Sequence, residues 1–241
     1  HVLHLGLMPA GAFEMVRHAK FDLKQAVTAE LDMASMLNTP EHIARMGPKT
    51  CFVPANPDDS WKSIGNGVAD VLVLEHAPHT AEEIEPGWQD MFSVPLGGTG
   101  AQEFVPMVLD CVNRGRFTLQ DAVRFCSEKP AQIFGQHPRK GSISVGADAD
   151  FTIVDMNKEV VFRDADMLSR TGYTSWEGWK AKGAAVFTIV RGGIVMRDGK
   201  VVGREGYGRF TPGTAASAAK TPPRTPPRTP PKGELSVSDL P

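Results

Sequence analysis

Residues 74 to 80 read Leu74-Glu75-His76-Ala77-Pro78-His79-Thr80 and put a carboxylate and two imidazoles within five residues, directly after the apolar run 68–73. Those side chains can bind a metal ion, move a proton or hold an anion. Their position at the end of a strand-like run suits metal-assisted chemistry, because parallel strands covered on both faces read as near-continuous apolar runs. In barrels of such strands, reactive groups collect at the carboxyl ends. Pro78 fixes the backbone between the two histidines and so the direction of the second. An isolated histidine in a turn more often satisfies a buried backbone group than binds a ligand. The clustering here, and a second strand-like segment His1-Val2-Leu3-His4-Leu5-Gly6 with a histidine near a glycine, favour function.

The elements that would position these groups follow from periodicity. A strand at 1–6, a helix around 10–20, a strand at 26–31, a helix around 40–46 and the strand ending at Glu75 alternate in the manner of parallel βαβ units. The loop Pro95-Leu96-Gly97-Gly98-Thr99-Gly100 can bring backbone close to a ligand, or can be an ordinary connection. Phe104, Val105, Val108, Leu109 and Val112 form a helical stripe, Thr118 can cap a second helix, and Pro130 opens a third that Gly135 ends. From about Gly141 the pattern changes to short strands at 150–155, 186–191, 194–196 and 200–202, with Asp198-Gly199 as a hairpin turn. The expected fold is therefore α/β with a small antiparallel β unit. The repeats Thr221-Pro222-Pro223-Arg224, Thr225-Pro226-Pro227-Arg228 and Thr229-Pro230-Pro231-Lys232 cannot build a core and read as an extended linker or tail.

Composition narrows the partners. The chain has 241 residues, 41% hydrophobic, with a formal charge of -2, which leaves room for a large core and gives no electrostatic reason to expect nucleic acid or a membrane. Three cysteines without CxxC spacing suggest neither a disulfide framework nor a zinc knuckle, so a reducing, cytoplasmic setting is expected. No signal-peptide pattern or long apolar span is visible, and a chain that opens on His1 inside a strand pattern looks cut from a longer one.

From residue 1 to about 210 the sequence resembles the cyclic amidohydrolases of the dihydroorotase type. The resemblance is carried by residues 75–80, by the His-x-x-His strand, and by Gly47-Pro48, Asn113-Arg114-Gly115-Arg116, Lys129-Pro130-Ala131-Gln132-Ile133-Phe134-Gly135, Arg139-Lys140-Gly141 and Val145-Gly146-Ala147-Asp148-Ala149-Asp150. It implies the C-terminal part of a (β/α)₈ barrel (1–140), a small β subdomain (141–210) and a Pro-rich tail (211–241). It also implies a binuclear zinc site and reversible opening of a cyclic amide, with dihydroorotate and carbamoyl aspartate as the family pair in pyrimidine biosynthesis. On that resemblance His4 matches a zinc-binding histidine, and Glu75 takes the place of the final aspartate as ligand and proton carrier. Glu30 matches a carboxylate that holds a further metal in some members, and His79 matches the histidine that contacts substrate. Asn56, Gly98 and Gly100 are the remaining candidates for substrate contact.

The family's first HxH, bridging ligand and first later histidine have no counterpart in this chain, and the stretch 52–59 lacks the arginine that dihydroorotases carry there. Two readings therefore stand together. One is part of a zinc-dependent hydrolase completed by an upstream half-barrel or a complementing subunit, as an oligomer or within a multienzyme protein. The other is a non-catalytic scaffold segment of such a protein.

Overall fold

The computed structural model describes residues 11–50 and 57–213. The strand expected at 1–6, the segment 51–56 and the Pro-rich repeats lie outside these residues. The first half is helical around a short parallel pair. Helix α1 (Ala12–Arg17) widens in its last turn over His18–Asp22 and leads to strand β1 (Glu30–Asp32). Helices α2 (Met33–Leu37), α3 (Pro40–Met46) and α4 (Pro57–Gly65) then lead to strand β2 (Val71–Val73). β1 and β2 pair in parallel, with Glu30 opposite Val71 and Asp32 opposite Val73. Both strands are shorter than the apolar patterns suggested, and β1 begins where the strand expected at 26–31 was to end.

The approach to the pair is held by Asp70, whose Oδ2 accepts from the Ala29 amide (2.7 Å) and from Lys20 Nζ (2.8 Å). Helix α3 begins at Pro40, as expected for proline at a first helical position, and Thr39 caps it through the His42 amide. Helix α4 falls between the helix expected at 40–46 and the strand ending at Glu75, where the sequence pattern suggested no element.

After β2, helix α5 (Ala81–Ile84) opens on a capping box in which Thr80 and Glu83 satisfy each other's amides. Helices α6 (Phe104–Asn113), α7 (Leu119–Val123) and α8 (Lys129–Ile133) follow; Thr118 caps α7 as expected, and Gly135, at φ 65°, follows the end of α8. The last third is an antiparallel sheet in the order β3 (Phe151–Val161), β4 (Lys180–Val190), β5 (Gly193–Arg197) and β6 (Lys200–Val201). Asp198 and Gly199 both have positive φ, 48° and 80°, which is the backbone a two-residue hairpin requires. β3 and β4 run longer than the sequence suggested, with irregularities in register at Ile153/Val154 and Asp155/Glu159.

One core joins the two halves: Leu31, Met33 and Leu72 from the parallel pair region, Met107 and Phe125 from the later helices, and Phe162, Trp176 and Ala181 from around the sheet belong to a single buried cluster. α6 lies against β4, where a Cβ at Gly183 would strike Leu109. Polar groups fasten the same seam. Asp110 Oδ1 accepts from the Lys182 amide (2.9 Å), while Asn113 Nδ2 donates to the carbonyls of Met156 (2.9 Å) and Lys182 (2.6 Å), across the irregular part of the β3–β4 register.

Candidate active site at the ends of the parallel strands

Because β1 and β2 run in parallel, their carboxyl ends lie side by side, and the chemistry-bearing residues gather there. Glu30 and Asp32 are two apart on β1 and share one face of the strand. Asp32 is 2% exposed and caps α2, its two oxygens accepting from the amides of Ala34 (3.1 Å) and Ser35 (3.0 Å). Burial pushes its carboxyl up to about 6 against the pull of those amides, and the charges of Glu75 and Glu30 add to the rise. Three carboxylates thus share one strand end.

Glu75 follows β2 and is exposed, as is His76. His76 Nδ1 accepts from the amides of Gly100 (3.1 Å) and Ala101 (3.3 Å). His79 is half-buried, its Nδ1 3.8 Å from Glu83 Oε2, and its carbonyl accepts from Tyr173 Oη at 3.0 Å. The glycine loop lies along this segment: the Ala77 amide donates to the Gly98 carbonyl (2.9 Å), and a Cβ at Gly100 would strike the Glu75 carbonyl and the Leu74 side chain. A Cβ at Gly97 would likewise meet the Ala77 carbonyl and come within 3.3 Å of His79. Glycine is required here by contact, not by flexibility alone. Of the residues singled out in the sequence, Glu75, His79, Gly98 and Gly100 are brought together beyond the carboxyl end of β2, Glu30 begins β1 two residues before Asp32, and His4 and Asn56 lie outside the described residues.

The segment 173–177 fastens this end of the molecule and carried no sequence signal. Ser175 and Thr99 bond reciprocally, each amide donating to the other's hydroxyl at 2.9 Å, and Ser175 Oγ donates to the Lys49 carbonyl at 2.6 Å. Thr174 and Thr99 both donate to the buried carboxylate of Glu103. Trp176, fully buried, stacks on His42 with ring centres 4.9 Å apart, and His42 Nε2 donates to the Ser175 carbonyl (3.0 Å). Lys49 pairs with Asp164 at 2.6 Å, and Asp164 accepts from the Thr174 amide. Asp164, Tyr173, Thr174, Ser175 and Trp176 thereby touch the loops at 42–50, 79 and 99–103. Asp32 was also missed, although an aspartate directly before a helix is an N-cap signal that could have found it.

Among the described residues no three histidine, cysteine, aspartate or glutamate side chains converge on one ion position. The oxygens of Glu30, Asp32 and Glu75 suit a divalent cation in charge, but they amount to part of a ligand set.

The Amidohydrolase family matches residues 108–196 of this chain. The L-hydantoinase of Paenarthrobacter aurescens is 36% identical over 161 residues, which are 66% of this chain and 35% of that enzyme. The dihydroorotase of Pyrococcus furiosus is 35% identical over 193 residues, 76% of this chain and 44% of the enzyme. The solved L-hydantoinase (dihydropyrimidinase) from Arthrobacter aurescens superposes with a TM-score of 0.81 at 31% identity, covering 87% of this chain and 47% of the other. The chain thus spans less than half the length of these relatives. No helix among the described residues is long and apolar enough to cross a membrane.

Proposed function

This chain belongs to the cyclic amidohydrolases of the amidohydrolase superfamily, and from that premise we propose that it is the C-terminal portion of a metal-dependent hydrolase that opens a cyclic amide. On this reading residues 1–140 supply the last strands and helices of a (β/α)₈ barrel, 141–210 a small β subdomain and 211–241 a tail. The upstream half of the barrel, or a complementing subunit, supplies the rest in a soluble, cytoplasmic protein. The observation that supports the proposal most is that Glu75, directly after β2, and Glu30 both bear on the charge of buried Asp32 at the end of β1, with the glycine loop packed along residues 74–79.

Zinc would be held by His4, Glu30 and Glu75 together with ligands from the missing half. The chemistry it would supply there is a water made acidic enough to ionise near neutral pH and a polarised carbonyl. The chain's own contribution is separable from the metal. Glu75, an exposed carboxylate at a strand end, takes a proton from the nucleophile and returns it to the leaving ring nitrogen. The backbone at Gly98 and Gly100 lets a flat ring approach closely, and His79, tied through its carbonyl to Tyr173, is the contact for a substrate anion, with Asn56 the second candidate from the sequence.

The ring proposed first is dihydroorotate, opened to carbamoyl aspartate in pyrimidine synthesis within a larger polypeptide. An uncharged hydantoin-like ring is the second reading, favoured by one observation: the stretch 52–59 has no arginine and carries Asp58 and Asp59. The test is hydrolysis of both rings by the zinc-loaded polypeptide that includes an upstream half-barrel. Glu75→Asp should raise turnover by up to about 100-fold, since one methylene displaces the carboxylate on the scale at which misplacement costs that much. His79→Ala should raise KM for dihydroorotate more than for hydantoin. No turnover of either ring above background by the Glu75→Asp variant, with zinc confirmed bound, would instead establish a scaffold segment.

A further inference from the structure

Glu103, directly before α6, is fully buried, and among the described residues no cation pairs with it. Its Oε1 accepts from Thr99 Oγ1 (2.7 Å) and Thr174 Oγ1 (2.5 Å). Each of these hydroxyls also accepts a backbone amide, Ser175 on Thr99 at 2.9 Å and Trp176 on Thr174 at 3.1 Å. A hydroxyl has one hydrogen, so with amides on their lone pairs both threonines direct theirs at Glu103. Oε2 is buried and has no hydrogen-bond partner among the described residues. A carboxylate in the interior is costly, and the bonds that Oε1 makes show what it holds in place.

What it holds is the turn that meets His76. Thr99 immediately precedes Gly100 and Ala101, whose amides converge on His76 Nδ1. The amides of Glu103 and Phe104 close the same turn on the Gly100 carbonyl, at 3.2 and 2.9 Å. A ring nitrogen that accepts two amides carries no proton, so the neutral imidazole keeps its hydrogen on Nε2. We propose that Glu103 is a positioning residue: through Thr99 it sets the turn at 100–101 so that His76 is locked as the Nε2–H tautomer.

The proposed function enters only in the consequence. Beside Glu75, a ring with Nε2–H donates a hydrogen bond to a substrate carbonyl and does not compete with Glu75 for the proton. The lock itself is independent of any activity. It is read in the full chain, labelled with ¹⁵N, by long-range ¹H–¹⁵N correlation of the imidazoles at pH about 8.5, two units above the ordinary histidine value near 6.5, with His76→Gln identifying the signals.

The expected wild-type pattern is a pyridine-type Nδ1 and a pyrrole-type Nε2, well separated. Glu103→Ala should collapse that separation toward the tautomer-averaged positions, and Glu103→Gln, which keeps an oxygen at Oε1, should restore it. Thr118→Ala, which loosens α7 elsewhere, should leave it unchanged. If Glu103→Ala does not fold, Thr174→Val removes one of the two donors and should give a partial collapse. An averaged His76 in the wild type, a folded Glu103→Ala or Thr174→Val with the wild-type pattern, or an equal collapse in Thr118→Ala would overturn the proposal. Absence of cyclic-amide hydrolysis would sink the proposed function and leave this result standing.

Discussion

Ser175→Ala removes one oxygen and leaves two buried backbone groups without partners. Ser175 is fully buried, its Oγ accepting from the Thr99 amide at 2.9 Å and donating to the Lys49 carbonyl at 2.6 Å. Alanine fits the space and keeps the backbone bonds, so packing changes little. Each orphaned group costs about 1–3 kcal/mol, which gives about 2–6 kcal/mol for the pair. At roughly 2–4 °C per kcal/mol for a domain of this size, the melting temperature should fall by roughly 4–24 °C. Ser142→Ala, which loses an exposed bond from Oγ to the Pro138 carbonyl, should change stability by no more than about 0.5 kcal/mol. Thermal unfolding of both variants, followed by circular dichroism, makes the comparison. If Ser175→Ala melts within about 2 °C of the wild type, the fastening of the loops by 173–177 carries no weight.

Three further outcomes are expected. Burial lowers the pKa of His42, the Ser175 carbonyl opposing and the Arg45 guanidinium adding to the shift; Trp176 and Trp179 pack on the same ring. Folding therefore holds the ring neutral, and stability is level above the unfolded value near 6.5 but declines as pH falls through it toward the folded value, because the unfolded chain takes up the proton first. Melting curves from about pH 7.5 to 5.5 should show this decline, reduced in His42→Phe. Truncation after Gly213 should leave the melting temperature unchanged, since the repeats from Thr221 to Lys232 carry no apolar stripe; a large loss would show that they dock. The chain by itself should hold well under one equivalent of zinc by elemental analysis, because three or four protein ligands are normally needed.

Local chemistry was legible in the sequence and long-range fastening was not. Thr118, Pro130, Gly135 and the Asp198-Gly199 turn act on their nearest neighbours, so their roles follow from spacing alone. The Glu75 to Thr80 turn and the glycine loop were likewise readable as patterns, and the structure packs one along the other. By contrast, Tyr173, Thr174 and Ser175 find partners 71 to 126 residues away and sit in irregular backbone with no period to betray a buried face. Helix α4 was missed although Pro57-Asp58-Asp59 is a fair helix start, proline preset for the first turn and acids at its positive end. β1 was displaced because Ala26 and Val27 continue the apolar pattern that the ladder does not use.

The bonds from Ser175 to Thr99 and Lys49 join residues 76 and 126 apart in the chain. During synthesis from the N-terminus at about 5–20 residues per second, the loops of the candidate site wait roughly 4–25 s for the segment that fastens them. Through that interval Thr99 and Glu103 have each other but lack Ser175 and Thr174, and the carbonyl of Lys49 lacks its donor. The strand ends that gather Glu30, Asp32 and Glu75 are early products of translation, but their surroundings are completed late. A ribosome stalled before residue 173 would carry a chain whose reactive groups are made and whose geometry is not, the state in which a chaperone has most to bind and a protease most to cut.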